Sequence, residues 1–195
     1  MTARQSEIER KTKETDVRVA LSLDGSRSLH IATGLGFFDH MLTALAFHAG
    51  WNLNLIAKGD LDVDDHHTVE DCGIAIGEAI ADALQGQPIN RFGSKFAPLD
   101  ESLARAVVDF SGRPHATVEL GFIREKIGDV ATENLTHFFQ SLAMSAKFTL
   151  HIDLIRGEND HHKAEAAFKA LALAMREALQ IAADTSMVPS TKGVL

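Results

Sequence analysis

Apolar and polar residues alternate over residues 17–23, 30–33 and 53–57, a period of two that predicts half-buried β-strands. Between the second and third of these, Phe38, Met41, Leu42 and Leu45 recur at helical spacing, and Gly50 marks a stop. After the third strand Asp65 stands where a helix cap would. Val69, Ile76, Ile80 and Ala83 then share one side of a helix that ends before Gly86 and Pro88. The second half of the chain repeats the scheme, with Asp160 as cap and Phe168, Leu171, Met175 and Leu179 as the apolar face. Strands and helices alternating in this way predict an α+β fold whose sheets are covered by a helical layer.

The repetition extends to the polar residues. Asp65-His66-His67-Thr68-Val69-Glu70 and Asp160-His161-His162-Lys163-Ala164-Glu165 both read D-H-H-x-x-E. Each is preceded by a histidine in a helical run, His40 in one half and His137 in the other, at separations of 26 and 24 residues. Further upstream, LSLDGSRSLHIATGLGF and VVDFSGRPHATVELGF each read strand, turn, strand. The chain is therefore read as an internal duplication, a single domain over residues 1–195 built from two similar halves, about 1–90 and 91–190.

On a helix, residues three and four apart are neighbours, so Glu70 adjoins His66 and His67, and Glu165 adjoins His161 and His162. Adjacent histidines diverge by about 100° around the axis and do not readily hold one ion together. Each doublet therefore serves two ions. With His40 and His137 added, six histidines and two glutamates give three nitrogens and one carboxylate per ion, which leaves open positions on an octahedral metal. Manganese, iron, cobalt and zinc all accept such a set. His30, His115 and His151 fall on strands or beside turns without a pattern of this kind, and carry no assignment. His48 lies about 12 Å along its helix from His40, too far to share that ion, and suits a substrate contact instead.

Composition narrows the partners. A formal net charge of −8 argues against nucleic acid or an anionic membrane as the main partner. No window approaches the roughly 20 apolar residues that span a bilayer. One cysteine, Cys72, allows no intrachain disulfide, and the polar start of the chain has no apolar signal core; both fit a cytoplasmic protein. Cys72 itself reads as a small core residue.

RKTKET (10–15), GFFDHMLTALAFHAG (36–50), DLDVDDHHTVEDCGIAIGEA (60–79), RFGS (91–94), DFSGRP (109–114), ENLTHFFQSLA (133–143), DHHKAEAAFKA (160–170) and STKGVL (190–195) together resemble the imidazoleglycerol-phosphate dehydratase family. They span essentially the whole chain. The resemblance implies two halves, each a four-stranded sheet with helices packed on one face. It implies two manganese ions held by His40, His66, His67, Glu70, His137, His161, His162 and Glu165. It also implies a homo-oligomeric shell of 24 subunits with active sites between them, and dehydration of a phosphorylated imidazole in histidine biosynthesis. Glu14 is then the acid–base residue at the substrate, and Arg91, Arg113, Ser190 and Lys192, with His48, are substrate-binding.

The reaction so implied removes a proton from a carbon with no adjacent carbonyl, so the imidazole ring must accept the electrons. A metal on each ring nitrogen favours the imidazolate, which can expel the neighbouring hydroxyl. From the motif spacings alone, two other readings stay open. One is a two-metal phosphate-ester hydrolase; the other is a non-enzymatic, metal-assembled structural or storage protein.

Overall fold

The structure is a computed structural model and describes residues 3–183. The first half runs β1 (Gln5–Lys11), β2 (Thr15–Ser22), β3 (Leu29–Ala32), α1 (Gly36–Ala49), β4 (Asn52–Gly59) and α2 (His66–Leu84). The second runs β5 (Phe92–Leu99), β6 (Ser102–Asp109), β7 (His115–Glu119), β8 (Lys126–Ile127), β9 (Val130–Ala131), α3 (Thr132–Ala146), β10 (Thr149–Arg156) and α4 (Asp160–Ala178). The strand orders β1-β2-β4-β3 and β5-β6-β10-β7 correspond one to one; the β8–β9 ribbon is an addition to the second half.

In each sheet the first three neighbours pair antiparallel and the last pair is parallel. Parallel neighbours need a crossover, and α1 and α3 supply it. Burial follows the alternation expected of a one-sided sheet: Val17, Val19 and Leu21 of β2 and Leu53, Leu55 and Ala57 of β4 point inward. The helices lie between the two sheets. α2 packs on β1 and β2, α4 on β5 and β6, and across the midline α1 meets α4 while α2 meets α3. Phe38, Phe138, Phe139, Phe168 and Met41 are fully buried at these junctions. Full burial of a side chain of this size stabilises by about 1.5–3 kcal/mol.

Two glycines permit the close pairing of α2 with α3. Gly73 and Gly77 lie one turn apart on α2. A Cβ at Gly77 would stand 2.8 Å from the Leu142 carbonyl oxygen and 2.9 Å from the Ala146 nitrogen of α3. Gly50 ends α1 in the left-handed region at φ 82°, as expected, and its N–H returns to the Ala46 carbonyl.

The expected caps are corrected. Asp65 has helical dihedrals and makes no cap bond; its carboxylate accepts the Ala131 N–H at 2.9 Å. Asp64 instead accepts the His66 N–H at 2.8 Å. Asp160 is the first residue of α4, and Asn159 caps it by accepting the His161 N–H at 2.9 Å. The Asp160 carboxylate accepts the Ile123 and Arg124 N–H groups and the Lys163 ammonium. The aspartates of the two repeated motifs thus hold the two ends of one loop, residues 121–131, across the helix starts. The pattern D-H-H places an acidic residue correctly for a cap, but tertiary donors from this loop compete for it.

Candidate metal centre and its surroundings

The helix pairing sorts the repeated histidines into two triplets, each drawn from both halves. His40 of α1 meets His161 and Glu165 of α4: both imidazole Nε2 atoms face Glu165 Oε2, at 3.0 and 3.3 Å. His137 of α3 meets His66 and Glu70 of α2: His137 Nε2 lies 3.0 Å from Glu70 Oε1, and His66 Nε2 lies 4.0 Å from Oε2. The His66 and His137 rings stack with centroids 4.9 Å apart. In each triplet one donor atom per residue falls within 4.8 Å of the others. Local contacts hold these positions. The Asp39 carboxylate accepts the Thr33 N–H and hydroxyl, fixing the start of α1 just before His40. Asn134 Oδ1 accepts from His66 Nδ1 at 2.9 Å.

His67 and His162 turn away from these triplets, as the divergence of adjacent helical positions requires. Their Nδ1 atoms bond to carboxylates: His67 to Asp60 at 3.0 Å, and His162 to Glu101 at 2.7 Å. Both imidazoles are consequently held above the usual histidine pKa, by these hydrogen bonds first. Glu101 lies well below the usual carboxylate range because it accepts the Asn159 N–H and then the His162 proton. A carboxylate on Nδ1 fixes the ring and its tautomer and leaves Nε2 as the donor directed elsewhere, the usual outer support of a metal-binding histidine. Asp60, Glu101 and Asn134 were not singled out by sequence. In GDLDVDD four aspartates compete, and no spacing rule selects the first.

Glu14 is exposed on the turn between β1 and β2. Its N–H donates to Thr12 Oγ1 at 3.1 Å, and its charge acts on His67. The turn is tied to α2 through Asp71, which is buried and accepts from Arg10 Nε at 2.7 Å and from the Thr15 hydroxyl.

His48 is half-buried near Glu165 and Lys169. Burial first, then the charge of Lys169, depress its pKa. Arg91 sits at the far end of α4, where its N–H donates to the Ala178 carbonyl at 2.9 Å. Thirteen helical positions, about 20 Å, separate that residue from Glu165. The Arg91 guanidinium is bound by both oxygens of Asp109, at 2.6 and 3.1 Å, and lies over the Phe92 ring. Arg113 is exposed on the turn between β6 and β7, its carbonyl accepting the Thr149 hydroxyl at 3.2 Å. Within one chain neither arginine shares a site with a triplet. Ser190 and Lys192 lie outside the described residues. Cys72 is fully buried, and burial pushes its thiol far above the ordinary range, as befits a core residue.

The family model for imidazoleglycerol-phosphate dehydratase matches residues 33–175, a span that contains both triplets and His67 and His162. The chain belongs to the imidazoleglycerol-phosphate dehydratase family. It is 53% identical over 207 residues to the imidazoleglycerol-phosphate dehydratase of Candida glabrata, covering 96% of this chain and 98% of that one. To the Saccharomyces cerevisiae enzyme of the same name it is 49% identical over the whole of both chains. Among solved structures, the imidazoleglycerol-phosphate dehydratase of Staphylococcus aureus superimposes with a TM-score of 0.83 at 40% identity, covering 91% of this chain and 99% of that one. That of Pyrococcus furiosus, in complex with (S)-C348, gives 0.82 at 38% identity, covering 96% and 100%. The two-sheet, four-helix arrangement is thus the fold of imidazoleglycerol-phosphate dehydratases.

Proposed function

We propose that this hydro-lyase converts imidazole glycerol phosphate to imidazole acetol phosphate and water in histidine biosynthesis, at a site whose two triplets would each hold a divalent ion. The observation that carries the site is the pair of His–His–Glu triplets, together with two further histidines each held at Nδ1 by a carboxylate. The donor set fits a divalent ion. Each triplet offers two imidazole nitrogens and one carboxylate within 4.8 Å and no thiolate. Manganese is the ion we assign. His40, His161 and Glu165 hold one, and His66, Glu70 and His137 the other. His67 and His162 complete the spheres from a neighbouring chain. Bound there, the ions supply Lewis-acid stabilisation of the anionic ring.

The remaining work falls to the chain's own groups. Glu14, on a turn braced against α2, takes the proton from the carbon one removed from the ring, while the ring-attached carbon loses its hydroxyl as water and gains a proton as the product ketone forms. Its exposure in one chain and its closeness to His67 suit an active site completed at a subunit boundary. Arg91, Arg113, Ser190 and Lys192 bind the phosphate, and Arg91 and Arg113 reach it from a different chain than the triplet they serve. His48 contacts the substrate beside Glu165. The protein acts as a homo-oligomer, a 24-subunit shell, in the cytoplasm; no described helix is long and apolar enough to cross a membrane.

The test is turnover of imidazole glycerol phosphate by protein stripped of metal and resupplied with manganese. Activity that vanishes and returns supports the reading. Release of inorganic phosphate instead of imidazole acetol phosphate would replace it with hydrolysis.

A further inference from the structure

The two triplets descend from one repeat, yet their carboxylates are not in the same electrostatic state. Glu165 is held from three directions: Oε2 faces His40 and His161, and Oε1 binds the Lys169 ammonium at 2.6 Å. Its side chain is 13% exposed, and that of Lys169 is 20% exposed, so water screens this pair only in part. Glu70 faces His137 and, more loosely, His66, and its side chain is 34% exposed. The position four residues on, which holds Lys169 in one half, is Ile74 in the other. The cationic field near the Glu165 triplet is also felt by His48, whose pKa Lys169 and Arg27 both depress after burial has done so. The residue matching His48, eight positions after His137, is Ser145.

A dication entering the Glu165 triplet meets a fixed positive charge and must compete with it for a carboxylate oxygen. Among the described residues no lysine or arginine pairs with Glu70, and the side chain corresponding to Lys169 is aliphatic. Building on the two-ion site above, we propose that Lys169 makes the two metal sites unequal, so that the His66–Glu70–His137 site fills first and the His40–His161–Glu165 site fills second and more weakly. The charge repulsion alone is worth about tenfold in affinity, even at a water-like dielectric. Lys169 is in this sense a tuning residue for the second ion. It gives the chain a concentration range in which one ion of the pair is present without the other.

The experiment titrates Mn²⁺ into metal-stripped, full-length protein, reading free Mn²⁺ by its electron paramagnetic resonance signal. Wild type is expected to bind two ions per chain in two classes at least about tenfold apart. Glu70→Gln should abolish the tight class and Glu165→Gln the weak one. Lys169→Met should tighten the weak class by about tenfold and leave the tight class unmoved, while Lys169→Arg keeps the wild-type isotherm. The mirror variant Ile74→Lys should weaken the tight class. Two equal classes in wild type, or two classes that Lys169→Met does not shift, would overturn the inference and leave the two-ion reading standing. Fewer than two ions bound by wild type would overturn both.

Discussion

Replacing Gly77 by Ala adds one methyl group at the tightest point of the α2–α3 contact. Its Cβ would lie 2.7 Å from Ser145 Cβ, 2.8 Å from the Leu142 oxygen and 2.9 Å from the Ala146 nitrogen. Two of those three atoms are helix backbone, so rotating a side chain cannot relieve the overlap; α2 and α3 must part by several tenths of an ångström. Overpacking of this kind costs about 1–3 kcal/mol. The helix propensity gained in going from Gly to Ala offsets roughly 1 kcal/mol of it. The balance is a net loss of about 0–2 kcal/mol, toward the upper end because two of the three close atoms are backbone. Urea unfolding of the metal-stripped protein at one fixed chain concentration should show the midpoint falling with the slope unchanged. Gly36→Ala is the control: nothing lies within 4 Å of its Cβ, so the midpoint should hold or rise slightly. A Gly77→Ala protein as stable as wild type would mean that the α2–α3 distance is not set by these glycines. The account of how His137 is brought to Glu70 would then fail with it.

Three other outcomes are expected. Glu14→Gln should retain both metal equivalents and lose turnover by roughly 10²–10⁴-fold, measured as kcat on imidazole glycerol phosphate; comparable activity would remove Glu14 from the proton transfer. Deleting residues 190–195 should raise KM steeply with little change in metal content, if Ser190 and Lys192 bind the phosphate; an unchanged KM counts against them. Arg4 joins Asp24 to the Leu179 carbonyl, and its hydrogen bond holds the Asp24 carboxyl below the usual range. Because the folded pKa is depressed, the pair's contribution is present above the unfolded value of about 3.9 and is lost as pH falls through the folded one. Asp24→Asn should therefore lower Tm at pH 7 and narrow the gap between pH 7 and pH 3; an equal gap in both proteins would refute the linkage.

The helices of this fold were legible because their apolar faces are long and regular. Phe38, Met41, Leu42 and Leu45 are all buried as their spacing implies. β1 was harder to see. Its residues read QSEIERK, and only Ser6 among them is buried, because it is an edge strand rich in charged residues. Along the chain, the repeated motifs identified the residue types that the structure gathers into the two triplets. They could not say that His40 would meet Glu165 and His137 meet Glu70, since that pairing is decided by which helices pack across the midline. The outer supports Asp60 and Glu101 were invisible for the same reason: His162 meets a glutamate from a hairpin 61 residues earlier in the chain.

The crossed pairing of upstream histidines with downstream motifs has a historical consequence. If each half had once been a separate polypeptide, it could not have closed either triplet by itself: α1 would have reached the α4-type helix of a second copy, and the reverse. The half-length ancestor must then have worked as a symmetric pair, with two identical ion sites related by its twofold axis. Fusion into one chain would then have freed the two sites to diverge, and the matching positions 74, aliphatic, and 169, cationic, are one place where the halves differ. Co-expressing residues 1–90 with 91–195 as two polypeptides would test whether unlinked halves still pair across the midline to close the triplets.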